Sequence, residues 1–171
     1  LESAQILKGA SSVKFGSNGI GGVVELQTRS GLGTDGSQSS LATEFGSHES
    51  LGLSANSLIS ERVWSFSLGV DYFETANERP NDALDSLNLT GRADFAVTES
   101  VSIELIGFFG RSIKGTPDTL VNQNFTDSAE TENWMLSPGL RFQDDLWEIQ
   151  LFYSASQLTI DSESFEFGFA P

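Results

Sequence analysis

From Leu41 onward apolar and polar residues alternate with a period of two, and no helical period persists beyond two turns. The pattern is clearest from Arg62 to Glu74. There Trp64, Phe66, Leu68, Val70 and Tyr72 share one face, and Ser65, Ser67, Gly69 and Asp71 the other. Leu87, Leu89, Ala93, Phe95 and Val97 likewise oppose Asn88, Thr90, Arg92 and Asp94. Val101, Ile103, Leu105 and Phe109 oppose Ser102 and Glu104, although Ile106 and Phe108 blur the second half. Trp134, Leu136, Leu140 and Phe142 oppose Ser137, Arg141 and Gln143, and Trp147, Ile149, Leu151, Tyr153 and Ala155 oppose Glu148, Gln150, Ser154 and Ser156. Weaker alternation at Leu41/Thr43/Phe45 and Leu51/Leu53/Ala55 adds two strands, so the pattern predicts seven.

The connections alternate in length. Short turns are expected at Ser60-Glu61-Arg62, Thr98-Glu99-Ser100 and Gln143-Asp144-Asp145. At the other end lie a small turn at Ser47-His48-Glu49 and longer loops over 75–85 and about 114–130. Antiparallel neighbours with short turns at one end and longer loops at the other suit an outer-membrane β-barrel. Trp64 to Tyr72 matches the roughly 9–11 residues that a tilted strand needs to cross a bilayer, with an aromatic residue at each end. Trp147, beside a short turn, sits where an aromatic girdle belongs. A soluble antiparallel sandwich could produce the same alternation by turning the apolar face into a core. Strands of this length, with a Ser/Asn/Thr/Gly-rich opposite face, favour the barrel, but periodicity alone leaves both open.

Residues 1–30 are different: Gly-rich with short apolar runs, followed by Gly31-Leu32-Gly33-Thr34-Asp35-Gly36-Ser37-Gln38-Ser39-Ser40, which reads as a linker. The expected organisation is therefore 1–30, a linker over 31–40, and strands over 41–171. No run approaches 18 apolar residues, so no transmembrane helix is expected. The start at Leu1-Glu2-Ser3, without Met or a basic-then-apolar leader, and the mid-pattern ending at Phe169-Ala170-Pro171 suggest a piece of a longer protein.

Charge and composition remove several function classes. Nine basic residues against 24 acidic ones give a net charge of −15, a field that repels nucleic acid. Without cysteine there is no disulfide, thiolate metal site or cysteine nucleophile, and a single histidine, His48, rules out multi-His metal sites and most triads. Asp144-Asp145 lies in a short turn without a pocket, so no acid/base role is assigned and an enzyme is the least expected class.

The segment from Leu1 to Thr28 reads as a short strand ending at Gly9, a turn, the Gly-rich Phe15-Gly16-Ser17-Asn18-Gly19, and a strand Val23–Thr28. A dinucleotide loop is excluded because Val24 stands where a third glycine belongs and no helix follows; a P-loop lacks its Gly-Lys-Ser/Thr. The segment resembles the end of the plug domain of TonB-dependent outer-membrane receptors, where a run of the form E-V-L-x-G-P-x-S-x-L-Y-G-x-x-A-x-G-G-V-I-N-I-x-T leads into the barrel. Ile6, Leu7, Gly9, Ser12, Phe15, Gly16, Gly21, Gly22, Val23, Val24 and Thr28 match without a gap. Ala10, Lys14, Gly19 and Glu25 depart from it. The strands that follow resemble, as a pattern only, the first barrel strands of the cobalamin-receptor type.

The resemblance implies an all-β fold: part of a plugged transmembrane antiparallel barrel of 22 strands in the family, about seven of them present here. It implies energy-coupled uptake of a scarce small ligand such as a ferric siderophore or cobalamin, with the TonB complex acting through an N-terminal box that precedes this chain. The implied setting is the bacterial outer membrane, with its lipid as a partner. A non-transporting adhesin or porin-like barrel and a soluble β-rich binding module are the rival readings. Ligand-facing candidates in the longer loops are His48, Glu78, Asp82 and Asp127; each alone is ordinarily a solvated surface residue. Glu74 and Asp85 flank or lie in the second loop, and Glu130 and Glu132 are expected in the third with Asp127. Such loop acids could hold Ca²⁺, but they lack the alternating Asp/Asn spacing of a calcium loop, so no cofactor is assigned. Arg92, Asp94, Glu104, Arg141 and Glu148 fall on the polar face, which a barrel turns toward its lumen, where plug charges such as Lys8, Lys14 or Arg29 could meet them.

Overall fold

In the computed structural model the described residues are 3–8, 22–117 and 127–163. The chain forms two compact units, Leu1–Ser30 and Gly31–Pro171. The first contains an antiparallel pair, β1 (Ser3–Lys8) and β2 (Gly22–Gln27), with Ser3 opposite Gln27 and Lys8 opposite Gly22. Of the plug-motif residues, Gly22 opens β2, whereas Gly9, Phe15, Gly16 and Gly21 lie outside the described residues.

The second unit is one antiparallel sheet whose strands pair in sequence order, except that the last two do not pair with each other. Its strands are β3 (Gly36–Gly46), β4 (Ser50–Glu61), β5 (Trp64–Thr75), β6 (Leu84–Ala96), β7 (Val101–Gly115), β8 (Ser128–Gln143), β9 (Glu148–Phe152) and β10 (Ala155–Glu163). The last two both pair with β8 in one uninterrupted register, Gly139 opposite Phe152 and Leu136 opposite Ala155. They are therefore one strand, interrupted at Tyr153-Ser154, where β8 carries Pro138 and loses a backbone donor. With that, seven strands follow one another among the described residues, each where an alternating run predicts it.

Two expectations need correction. The linker expected over 31–40 ends early, because Gly36–Ser40 is already paired in β3 with Ser60–Asn56 of β4. Small hydroxyl side chains there leave the backbone free to join the ladder, and Ser39 Oγ lies 3.0 Å from Ser57 Oγ across it. The last strand runs on past Ala155 to Glu163, and Trp147 lies in the turn before it. Beyond Ala155 its faces exchange character: Gln157, Thr159 and Asp161 continue the apolar side, while Leu158 and Ile160 join the polar side.

The registers place the apolar positions of the predicted alternating runs together. Straight across the sheet, Leu41, Ala55, Val70, Leu89, Phe109, Trp134 and Gln157 stand in line. Burial runs opposite to that of a soluble core. Among the described residues no apolar side chain is buried, while Ser60, Ser65, Thr75 and Asp94 are. Phe66, Leu68, Phe95, Ile103, Leu136 and Leu140, all on the apolar face, are each more than 40% exposed.

Candidate functional site

The longer-loop end gathers the four loop candidates. Between β3 and β4 the chain reverses over Ser47–Ser50, the Ser50 N–H donating to the Ser47 carbonyl (3.2 Å). Its central residues His48 and Glu49 both adopt positive φ (58° and 57°), the requirement of a type I′ hairpin turn. The next loop is tied to this turn: Ala76 N–H donates to the His48 carbonyl (2.9 Å) and His48 Nε2 lies 3.4 Å from Glu78 Oε1. Asn77 and Asn81, also at positive φ, are the staples of that loop. Asn77 Nδ2 donates to the Asp82 carbonyl (2.5 Å), and Asn81 Nδ2 to the Asp127 carbonyl of the third loop (2.8 Å). Asp82 Oδ1 lies 3.9 Å from Lys114 Nζ, and the Asp127 carbonyl also accepts from Thr116 N–H (2.9 Å).

His48, Glu78, Asp82 and Asp127 thus share one end of the sheet, but they do not converge on a single point. Asp82 and Asp127 act there partly through backbone carbonyls, and no group of three or more His, Cys, Asp or Glu side chains among the described residues is placed to hold a metal. Beside them an open cleft of about 470 Å³ is lined by Glu49, Glu74, Thr75, Asn81, Asp85 and Gly115, among others. Its carboxylates suit a cationic or hydrogen-bond-donating group. Sequence alone does not single out Asn77 and Asn81; the signal it offers is asparagine in a loop, after glycine the residue that best tolerates the left-handed region.

A second cluster lies on the apolar face near the same end. Glu74 and Asp85 are directly opposite, and the Tyr72 hydroxyl lies 2.7 Å from a carboxylate oxygen of each. On the next pair of strands Arg111 Nε donates to Glu130 Oε1 (2.5 Å), with Glu132 directly opposite Arg111.

The charges expected on the polar face all lie there by register. Arg92 Nη2 donates to Asp94 Oδ1 (2.8 Å) and Glu104 Oε2 (2.7 Å), and Asp94 stands directly opposite Glu104. One guanidinium between two carboxylates removes the repulsion that this like-charged pair would otherwise carry. Arg141 faces Gln150, whose amide donates to Glu148 Oε1 (3.1 Å). Arg92, Asp94, Glu104 and Glu148 thus find partners within the sheet itself.

The two borders of the apolar face are oblique to the row from Leu41 to Gln157. On the longer-loop side the first charged or amide residue stands four residues beyond the row on β5 and β6 (Glu74, Asp85), two beyond on β7 and β8 (Arg111, Glu132), and in the row on β10 (Gln157). On the short-turn side the last apolar residue stands six residues away on β5 (Trp64), eight on β6 to β8 (Val97 just past β6, Val101, Phe142), and ten just before the last strand (Trp147). Both borders therefore descend together, by about one residue per strand. One residue of rise per strand spacing is an angle of about 35°, and the belt between the borders is about 22–27 Å tall measured along the tilted axis.

No protein-family model matches the chain, and no curated protein matches it.

Proposed function

We propose that the chain is part of a TonB-dependent outer-membrane receptor, comprising the end of the plug and the opening strands of its transmembrane barrel, that takes up a scarce small ligand by energy-coupled transport. The observation that carries the membrane part of this reading is the oblique apolar belt. Transmembrane β-barrels have strands tilted by roughly 35–45° and an outward apolar band about 25 Å tall. A belt that slips by one residue per strand, keeping its height, is what a flat bilayer imposes on strands of that tilt. A soluble sandwich has no reason to displace both borders in step, and its apolar face would be covered. Trp64 and Trp147 on the short-turn border, Phe95 two residues inside it, and Tyr72 near the other border have the amphipathic or aromatic character of interfacial girdles.

The receptor part rests on the gap-free match of eleven residues from Ile6 to Thr28, whose two strands form the antiparallel pair β1–β2. In this reading Arg92, Asp94, Glu104, Arg141 and Glu148 face the lumen, and the stapled loops bearing His48, Glu78, Asp82 and Asp127 face outward toward ligand. Ferric siderophores or cobalamin are the ligand class, the TonB complex the energy-coupling partner, and no catalytic role is assigned.

Fractionation of cells producing the full-length protein tests the membrane placement. The expected result is recovery with the outer membrane and solubility only in detergent; recovery as a soluble monomer would refute it. Uptake of radiolabelled ferric siderophores and cobalamin, measured with and without TonB, tests the transport. Accumulation that needs both this protein and TonB supports it; uptake that is absent, or indifferent to TonB, leaves a porin-like or adhesive barrel instead.

A further inference from the structure

The two units divide between Ser30 and Gly31, and the first residue on the sheet side of that division is buried. Gly31 N–H donates to Ser65 Oγ (3.3 Å), and Ser65 Oγ donates to Asp94 Oδ2 (2.9 Å). Ser65 is 2% exposed and Asp94 6%. Arg92 then holds Asp94 and reaches Glu104. The chain turns back at once: Thr34 N–H and Oγ1 both donate to the Gly31 carbonyl (3.1 and 2.7 Å), and Thr34 Oγ1 lies 3.3 Å from Ser60 Oγ. Gly33, at φ +82°, permits that turn.

The seat admits only glycine. A Cβ on Gly31 would stand 2.8 Å from Ser60 Cβ and 3.0 Å from Ser60 Oγ. The residues beneath also lie in one transverse row, Gly36, Ser60, Ser65, Asp94, Glu104 and Gly139, running from β3 to β8. Glu104 lies flat over Gly139, its Cγ 2.7 Å from where a Cβ would sit. A load on Gly31 is therefore received by side chains on β4 to β7, along the direction in which the sheet is cross-bonded. Burying a carboxylate is costly unless it is paired, so a loop merely resting on a wet surface gives no account of this arrangement.

We infer that the Gly31–Thr34 turn is a clamp that fixes the chain to the polar face, so that rearrangement of the residues before Gly31 stops there and is not passed into β3. This goes beyond the transport reading and does not rest on it, because a soluble sheet would need the clamp as much as a barrel.

The test is hydrogen exchange, read by mass spectrometry on the full-length protein in detergent, comparing wild type with Ser65→Ala, Gly31→Ala and the control Ser54→Ala. Ser54 donates to Asp71 (2.6 Å), the same Ser–Asp chemistry elsewhere on the same face. Ser65→Ala and Gly31→Ala should speed exchange across residues 31–40 at least tenfold with β5 and β6 still protected, while Ser54→Ala leaves that segment as in wild type. Should Gly31→Ala fail to fold, Ser65→Ala decides alone, since it leaves the Arg92 ion pairs in place. Exchange over 31–40 that is unchanged in Ser65→Ala, or as fast as free chain in wild type, overturns the clamp. Pulling the chain from its N-terminal side gives a second readout. Wild type should yield no extension past Gly31 before the sheet ruptures, whereas Ser65→Ala should first release residues 31–46, about 50 Å of chain. Equal release in both proteins overturns the clamp, whatever the transport assays show.

Discussion

Pro138 lies inside β8 with strands on both sides, a position where proline ordinarily does not occur because it cannot donate to the ladder. It pairs with Tyr153, whose N–H donates to the Pro138 carbonyl (3.0 Å). The return bond, from residue 138 to the Tyr153 carbonyl, cannot form. Ser137 Oγ supplies it instead, donating to that carbonyl at 3.1 Å. The pair lies four residues from the row through Trp134, near mid-height of the apolar belt on β8, where in the proposed membrane setting an unpaired carbonyl would be most expensive. If the proposed bilayer surrounds the pair, Ser137→Ala should therefore cost about 1–3 kcal/mol, the penalty for an acceptor left without a partner away from water. Pro138→Ala restores the backbone donor, so adding Ser137→Ala to it should cost only about 0–0.5 kcal/mol. The four proteins form a double-mutant cycle with an expected coupling of at least about 1 kcal/mol. Urea unfolding in lipid vesicles, followed by tryptophan fluorescence, measures it. A Ser137→Ala cost that persists undiminished in the Pro138→Ala background would refute the substitution of hydroxyl for amide.

The remaining predictions use the same assay. Leu68→Arg, at mid-belt on β5, should cost roughly 2–4 kcal/mol, while Ile113→Arg, on the same face but above the oblique border, should cost about 0–1 kcal/mol; equal costs would contradict the tilted belt. Arg92→Leu leaves Asp94 and Glu104 facing each other without a cation and should destabilise by about 3–5 kcal/mol, whereas a loss below about 1 kcal/mol would show that the cluster is effectively solvated. Replacing His48-Glu49 by Asn-Gly, which accept positive φ more readily, should raise stability by about 1–2 kcal/mol; no gain would mean that the turn is already relaxed.

Much of the sheet was legible because its code is local. Alternation at Trp64–Tyr72 or Leu87–Phe95 assigns residues to faces before any partner is known, and the registers then bring those faces together. The loop candidates were less legible. His48 and Glu78 stand 30 positions apart, and nothing in either segment says that the Ala76 amide will bind the His48 carbonyl and carry Glu78 to within 3.4 Å of the ring. Alternation assigns Ser137 to the correct face, but its role depends on the strand that lies beside Pro138.

The sequence by itself determined that this chain is strand-forming, which residues share a face, and where most turns fall, because period two and turn chemistry act within a few neighbouring residues. Only the tertiary structure decided the register between strands. That register turns separate apolar runs into a tilted belt, gives Arg92 two carboxylates to bridge, and seats Gly31 over Ser65 and Asp94. Such contacts join residues far apart in the chain, and hydrogen bonding between whole strands, rather than local preference, sets which of them meet.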